Sequence, residues 1–107
     1  MVIVELTTFK KSAKKLLSQD SIDDLKIFLS DNPTAGVVIQ HTGGLRKLRW
    51  SLNNGKGKSG GSRVIYYYCD NNNPLYLFDC YAKNVKEDLT DNEKKELSSI
   101  LKLIKKR

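Results

Sequence analysis

Three segments of strand-forming residues follow one another closely in this sequence, and they constrain the fold more than any other feature. They run from Leu45 to Leu52, from Ser62 to Cys69 and from Leu75 to Ala82. A glycine-rich stretch at 53–61 separates the first two, and an Asp-Asn-Asn-Asn-Pro turn separates the last two. β-Branched and aromatic residues favour strands, and a short turn joins neighbouring strands in antiparallel order. The sequence therefore predicts a sheet whose last two strands form a hairpin.

Helical patterns flank these strands. A β-prone run at 2–6 precedes an amphipathic pattern in which apolar residues recur at helical spacing, namely Phe9, Ala13, Leu16 and Leu17. A second apolar stripe follows Ser21 and Asp24, which resemble a capping pair, and Pro33 ends that helix. Thr90 and Glu93 form a capping box for a last helix. We interpret 34–42 as a connection.

The element order is thus β-α-α-β-β-β-α. It predicts an α+β fold in which an antiparallel or mixed central sheet has its helices packed on one face. We expect a single domain over 1–107, because roughly 100–200 residues make one domain.

Positive charge is concentrated in one part of the chain. The sequence has 19 Lys and Arg residues against 12 Asp and Glu residues, a net charge of +7. No acidic residue lies between Asp31 and Asp70, yet that window contains Arg46, Lys47, Arg49, Lys56, Lys58 and Arg63. A surface that collects cations without acids attracts polyanions, above all nucleic acid. The alternative is a solvated basic loop that aids solubility.

Several other classes of protein are disfavoured. The sequence has no run of about 18 apolar residues, so it predicts no membrane span. We also expect no signal peptide and a cytoplasmic location. Cys69 and Cys80 are too few for a disulfide scaffold or a zinc site, and we interpret both as small buried hydrophobes. Acidic residues show no metal-ligand spacing, and His41 is the only histidine. We therefore expect neither a metal nor another cofactor.

Alternation along the strands separates two faces. One set is mainly apolar and suits burial against helices: Leu48, Trp50, Val64, Tyr66, Tyr68, Phe78, Cys80 and Ala82. The other set collects Lys47, Arg49, Arg63, Tyr67, Tyr81 and Lys83. Cations beside aromatic rings hold RNA phosphates and bases respectively. Arg46 falls with the apolar set, so we expect it at a strand edge, and a bulge would change part of this division.

Several segments of the sequence resemble the RelE/ParE toxin superfamily, and within it the HigB-like RelE branch. These are 42–50 (TGGLRKLRW), 55–67 (GKGKSGGSRVIYY), 81–84 (YAKN) and 87–90 (EDLT). The resemblance covers most of the chain from about Gly43 to the C-terminus.

The resemblance implies a bacterial toxin that cleaves mRNA in the ribosomal A site. It further implies metal-independent attack by the RNA 2′-hydroxyl, and inhibition by a helix-turn-helix antitoxin whose complex binds operator DNA. The family's catalytic cations fall on Lys47, Arg49, Arg63 and Lys83. We assign RNA or ribosome binding to Arg46, Lys56, Lys58, Tyr67 and Tyr81. Some relatives have a further arginine after the position of Lys83. This sequence has Asn84 there, so the role of that arginine stays open.

Two rival interpretations belong to other classes. A ParE-like inhibitor of DNA gyrase, or a basic nucleic-acid-binding module without catalysis, would share the charge pattern. The cations on the sheet favour the nuclease, because gyrase-directed members of the superfamily generally lack them. A degenerate toxin retained as a repressor partner is disfavoured because the basic positions are filled.

Overall fold

In the computed structural model, residues 1–51 and 61–106 are described. The elements are β1 (Ile3–Glu5), α1 (Thr7–Leu16), α2 (Gln19–Asp31), β2 (Val37–Val38), β3 (Arg46–Trp50), β4 (Ser62–Tyr67), β5 (Leu75–Ala82) and α3 (Asp91–Lys105). The described strands form a mixed five-stranded sheet in the order β1-β5-β4-β3-β2. β1 is parallel to β5 and every other neighbouring pair is antiparallel. The α+β class, the mixed sheet and the β4–β5 hairpin are confirmed.

The sheet has one strand more than the sequence predicts. β2 lies inside the connection at 34–42, where Val37 pairs with Lys47 and Val38 with Arg46. With only two residues it is too short to show a pattern of its own. Its two residues cover part of the edge that β3 would otherwise expose.

Helices cover both faces of this sheet, so the prediction that they pack on one face is wrong. α1 and α2 bury Phe9, Ala13, Leu25 and Leu29 against a core that includes Leu48, Val64 and Tyr66. α3 buries Leu97 and Leu101 on the other face, against Leu45, Ile65, Phe78 and Tyr81. The physical reason is visible in β4, where every residue from Ser62 to Tyr66 is buried. A strand buried on both faces requires a covering layer on each side.

A bulge explains why Phe78 lies on the other face from the predicted one. Ile65 pairs with Asp79 whereas Tyr66 pairs with Leu77, so Phe78 has no partner in β4. The extra residue reverses the alternation along β5. Phe78 therefore joins the α3 core, while Leu77 and Cys80 lie in the core under α1 and α2.

The helix boundaries follow their capping residues. Thr90 and Glu93 form the predicted capping box of α3, with both reciprocal hydrogen bonds present. The prediction of a cap at Ser21 is wrong, since Ser18 is the cap and accepts from the Ser21 backbone N–H at 3.1 Å. Ser21 instead lies inside α2, where its hydroxyl accepts from Trp50 Nε1 at 3.0 Å.

The two cysteines differ in their surroundings. Cys80 is buried as predicted, and burial raises the pKa of its thiol to about 12. Cys69 is exposed, which contradicts the prediction, because it follows the end of β4 where the strand leaves the sheet. Both thiols are free. None of the helices in the described ranges is long and apolar enough to cross a membrane.

Candidate functional site

An open cleft of about 620 Å³ lies between β3, β4 and the loop at 83–90. We call it the β-sheet cleft, and its walls are Ala35, Val37, Lys47, Leu48, Arg49, Arg63, Lys83, Glu87 and Asp88. All four cations that the sequence places on one face therefore line a single cavity. Alternation in β3 and β4 directs Lys47, Arg49 and Arg63 to the same side of the sheet, and Lys83 joins them from the loop that follows β5.

Two arginines lie side by side on the sheet surface of this cleft. Arg49 and Arg63 are direct partners in the β3–β4 pairing, and Tyr81 of β5 is the partner of Arg63 on the other side. Like charges in directly opposite positions destabilise a sheet. Arg63 is only 9% exposed, whereas Arg49 is exposed to solvent. A cross-strand pair that opposes folding indicates a site that serves an anionic ligand.

The loop at 83–90 is held in place by contacts to Tyr81 and to α3. The Tyr81 hydroxyl donates to the Glu87 backbone carbonyl at 3.2 Å. Lys86 forms an ion pair with Glu93 and lies 4.9 Å from the centre of the Tyr81 ring. Leu89 is buried in the α3 core. These contacts position Glu87 and Asp88 at the edge of the cleft.

Burial raises the pKa of Tyr81 to about 12, and the nearby Asp88 carboxylate contributes to the shift. Arg63 opposes it, which places that guanidinium close to the phenol. Tyr81 is therefore a neutral hydrogen-bonding group at ordinary pH. Its hydroxyl is already committed to the loop, so the structure gives it a positioning role at the cleft.

Asp88 makes an ion pair with Lys47 inside the cleft. The hydrogen bond from Lys47 holds the pKa of the Asp88 carboxyl below its usual range, and Arg63 adds to this effect. The sequence did not identify Glu87 or Asp88 as site residues. Their only signal was the position of the EDLT segment a few residues after Lys83, since their approach to the cleft depends on the course of an irregular loop.

Of the residues assigned to RNA binding, the three that the structure describes, Arg46, Tyr67 and Tyr81, do not line the β-sheet cleft. Tyr67 lies further along β4, where Lys105 stands 5.4 Å from the centre of its ring. Tyr81 packs in the α3 core. His41, the only histidine, has φ 64° and lies in a turn beside α3. Lys56 and Lys58 lie outside the described residues.

Arg46 instead supports the connection between α2 and β2. Its guanidinium donates to the Gly36 carbonyl at 2.7 Å and the Thr34 carbonyl at 3.3 Å. The Tyr66 hydroxyl accepts from the Gly36 N–H and donates to the Pro33 carbonyl, both at 2.8 Å. A Cβ at Gly36 would lie 2.8 Å from the Tyr66 ring, so this close approach requires glycine. The connection carries Ala35 and Val37, which form one wall of the cleft.

The cleft is well suited to a phosphodiester. Guanidinium groups bind two phosphate oxygens at once, and ammonium groups supply further charge. Within the described ranges, no group of three or more His, Cys, Asp or Glu side chains is placed to hold a metal ion. The fold and the cleft together define a small α+β protein whose polar site is built from cations on a sheet.

A comparison with protein families identifies the class of this protein. The family model described as the RelE toxin of the RelE/RelB toxin–antitoxin system matches residues 7–107. This span includes α1, α2, α3 and every strand after β1. The chain belongs to the RelE toxin family. It is therefore a toxin of a toxin–antitoxin system, from a family of mRNA-cleaving proteins, and a cognate antitoxin is its partner.

Proposed function

We propose that this toxin acts on the ribosome, where it cleaves mRNA in the A site and so stops translation. The observation that carries the proposal is the arginine pair at Arg49 and Arg63, which faces a cleft that also holds Lys47 and Lys83. Because the family cleaves mRNA, single-stranded RNA is the polyanion that we expect in this cleft. The finer assignment to the HigB-like branch rests on the sequence segments given above.

The reaction that suits this cleft is attack by a ribose 2′-hydroxyl on the adjacent phosphate. The 2′-oxygen forms a bond to phosphorus while the bond to the 5′-oxygen breaks, leaving a 2′,3′-cyclic phosphate and a free 5′-hydroxyl. Negative charge develops on the phosphoryl oxygens in the transition state. Donors already held at that place stabilise the charge without reorganisation. Arg63 is the best placed of the four, because the sheet holds its buried stem on both sides.

Proton transfer needs a further group. A lysine that donates to no carboxylate is available to exchange a proton with the reacting oxygens. Lys47 is engaged by Asp88, whereas Lys83 forms no ion pair with any described residue. We therefore assign proton transfer to Lys83 and phosphate binding to Lys47. The four cations supply the positive charge that a metal ion provides in other nucleases, which supports a metal-independent reaction.

The antitoxin that we propose is a helix-turn-helix protein whose complex with the toxin binds operator DNA, and the site of action is the cytoplasm. An acidic segment of the antitoxin that reaches the β-sheet cleft would neutralise the arginine pair. Packing elsewhere on the toxin would block entry to the ribosome by bulk instead.

Ribosome dependence is tested by adding the purified toxin to a translating extract and mapping mRNA 5′ ends. We expect new ends within codons held in the A site, and none on the same mRNA without ribosomes. A parallel supercoiling assay with DNA gyrase tests the ParE-like alternative. If gyrase is inhibited while the mRNA stays intact, the ParE-like alternative replaces the nuclease. If neither assay shows an effect, the remaining interpretation is a basic nucleic-acid-binding module without catalysis.

Replacing Asp88 by asparagine should increase the affinity of the cleft for RNA. The carboxylate competes with phosphate for Lys47, and exposed ion pairs are worth up to about 1 kcal/mol, so we expect a gain of at most about fivefold. Fluorescence anisotropy with a 2′-O-methyl RNA, which cannot be cleaved, measures this affinity at neutral pH. Asp31→Asn, an exposed position at the end of α2, is the matched control and should bind like the wild type.

The same pair predicts a pH dependence of stability. Because the pKa of Asp88 is lower in the folded state than in the unfolded chain, the pair's stabilisation is fully present above the usual carboxyl pKa. It is lost as the pH falls through the lowered value. The free energy of unfolding of the wild type, measured by urea titration, should therefore fall by this contribution as the pH is lowered through that range. The free energy of unfolding of Asp88→Asn should not show this loss. Equal pH profiles together with unchanged RNA affinity would contradict the competition.

A further inference from the structure

A second open cleft of about 600 Å³ lies along the outer side of α3, and we call it the α3 cleft. The turn at 41–43 forms one wall. The helix supplies the other wall through Asp91, Lys94, Lys95, Ser98, Ser99, Leu101, Lys102 and Lys105. None of these residues lines the β-sheet cleft. The two clefts are therefore separate surfaces, with α3 lying along one and beginning beside the other.

The α3 cleft is strongly cationic. Among the described residues that line it are four lysines and one carboxylate, that of Asp91. Lys94, Lys95 and Lys102 form no ion pair with any described residue. Cations that form no ion pair are suited to phosphate oxygens.

Lys105 belongs to the framework of this cleft. Its ammonium donates to the Gly43 carbonyl, and it lies over the Tyr67 ring. It thereby ties the last turn of α3 to the turn that forms the opposite wall. The remaining three lysines are the ones available to a ligand.

The N-terminal end of α3 connects the two clefts. Asp91 opens the helix only three residues after Asp88, which lies in the β-sheet cleft. Lys94 is close enough to Asp88 to help lower the pKa of that carboxyl. From Lys94 to Lys102 the helix rises about 12 Å, at about 1.5 Å per residue. An extended strand that leaves the first cleft at this end would meet this row of lysines.

We propose that the α3 cleft binds backbone phosphates of the same RNA strand whose cleaved nucleotide lies in the β-sheet cleft. This inference rests on the proposed function. Phosphate contacts of this kind position a strand without reading its bases. The α3 lysines thus hold the flanking RNA, while Arg49, Arg63 and their neighbours act on the scissile phosphate.

The test compares two triple variants that lose the same charge. Lys94→Gln, Lys95→Gln and Lys102→Gln remove the lysines of the α3 cleft, and glutamine keeps a comparable helix propensity. Lys10→Gln, Lys11→Gln and Lys14→Gln remove three exposed lysines from α1, on the opposite face of the sheet. Anisotropy titrations of the full-length toxins use 2′-O-methyl RNAs of three and of twelve nucleotides over a range of salt concentrations.

We expect the α3 variant to bind the long RNA roughly tenfold more weakly, because three phosphate contacts are lost. Its slope of log affinity against log salt should fall by about 2, at about 0.7 per contact with single-stranded RNA. Binding of the trinucleotide should stay unchanged, and the wild type should bind one long RNA per chain. The α1 variant should keep the length advantage.

The proposal is overturned if the two triple variants bind the long RNA equally, or if the wild type gains nothing from RNA length. Two RNAs bound per chain would also overturn it, by showing an independent site. If only antitoxin affinity falls in the α3 variant, the cleft is a protein-binding surface instead. Cleavage by the wild type on ribosomes is measured separately, so a failure of this inference is distinguished from a failure of the proposed function.

Discussion

Replacing Arg63 by alanine is expected to reduce ribosome-dependent mRNA cleavage by at least about 100-fold. Loss of one preorganised donor to the developing charge typically costs about 10²–10³-fold in rate. Arg63 is the most buried cation of the β-sheet cleft and the central member of its cross-strand triplet with Arg49 and Tyr81. Primer extension on mRNA from a translating extract measures the rate at each cleavage position.

Two further variants separate this effect from a loss of folding. Arg63→Lys keeps the positive charge but not the planar fork, so its rate should lie between wild type and alanine. Lys14→Ala removes the same charge from an exposed site on α1 and should cleave normally. Melting temperatures of all three show whether each is folded. A folded Arg63→Ala protein that cleaves as fast as Lys14→Ala would remove Arg63 from the site.

Truncation of Phe78 to alanine should lower the free energy of unfolding by about 3–5 kcal/mol. Phe78 is fully buried between the sheet and α3, and its removal leaves a cavity that the strands cannot close. Small domains are stable by only about 5–15 kcal/mol, so this one change removes a large share. Urea unfolding followed by circular dichroism gives the value.

Ile27→Ala is the control for that measurement. Ile27 is 63% exposed on α2, and surface substitutions usually change stability by less than about 0.5 kcal/mol. If Phe78→Ala were as mild as Ile27→Ala, α3 would not be packed on the sheet through this residue.

The parts of the fold that follow from regular periodicity were predictable. Lys47, Arg49 and Arg63 lie in uninterrupted strands, so alternation placed them on one face correctly. The bulge in β5 has no signal in the sequence, since neither a glycine nor a proline lies within three residues of Phe78. β4 is buried on both faces, whereas the alternation argument assumed that one face is in contact with solvent.

The site was predictable only where it lies on strands. Asp88 and Glu87 reach the cleft because Tyr81, Lys86 and Leu89 anchor the preceding and following backbone. Those anchors join residues that no local pattern relates. Arg46 shows the reverse case, since its charge suggested RNA binding while its contacts are to the Thr34 and Gly36 carbonyls. Composition alone does not distinguish a ligand-binding arginine from one that braces a loop.

The opposed arginines of β3 and β4 affect the stability of the folded sheet. One rung of its sheet is strained by repulsion before any substrate arrives. An anion that bridges Arg49 and Arg63 contributes its own attraction and also relieves that strain. Ligand binding and the stability of the sheet are therefore linked at this pair. An anionic group that neutralises the pair, whether it belongs to the RNA or to the antitoxin, also stabilises the folded toxin.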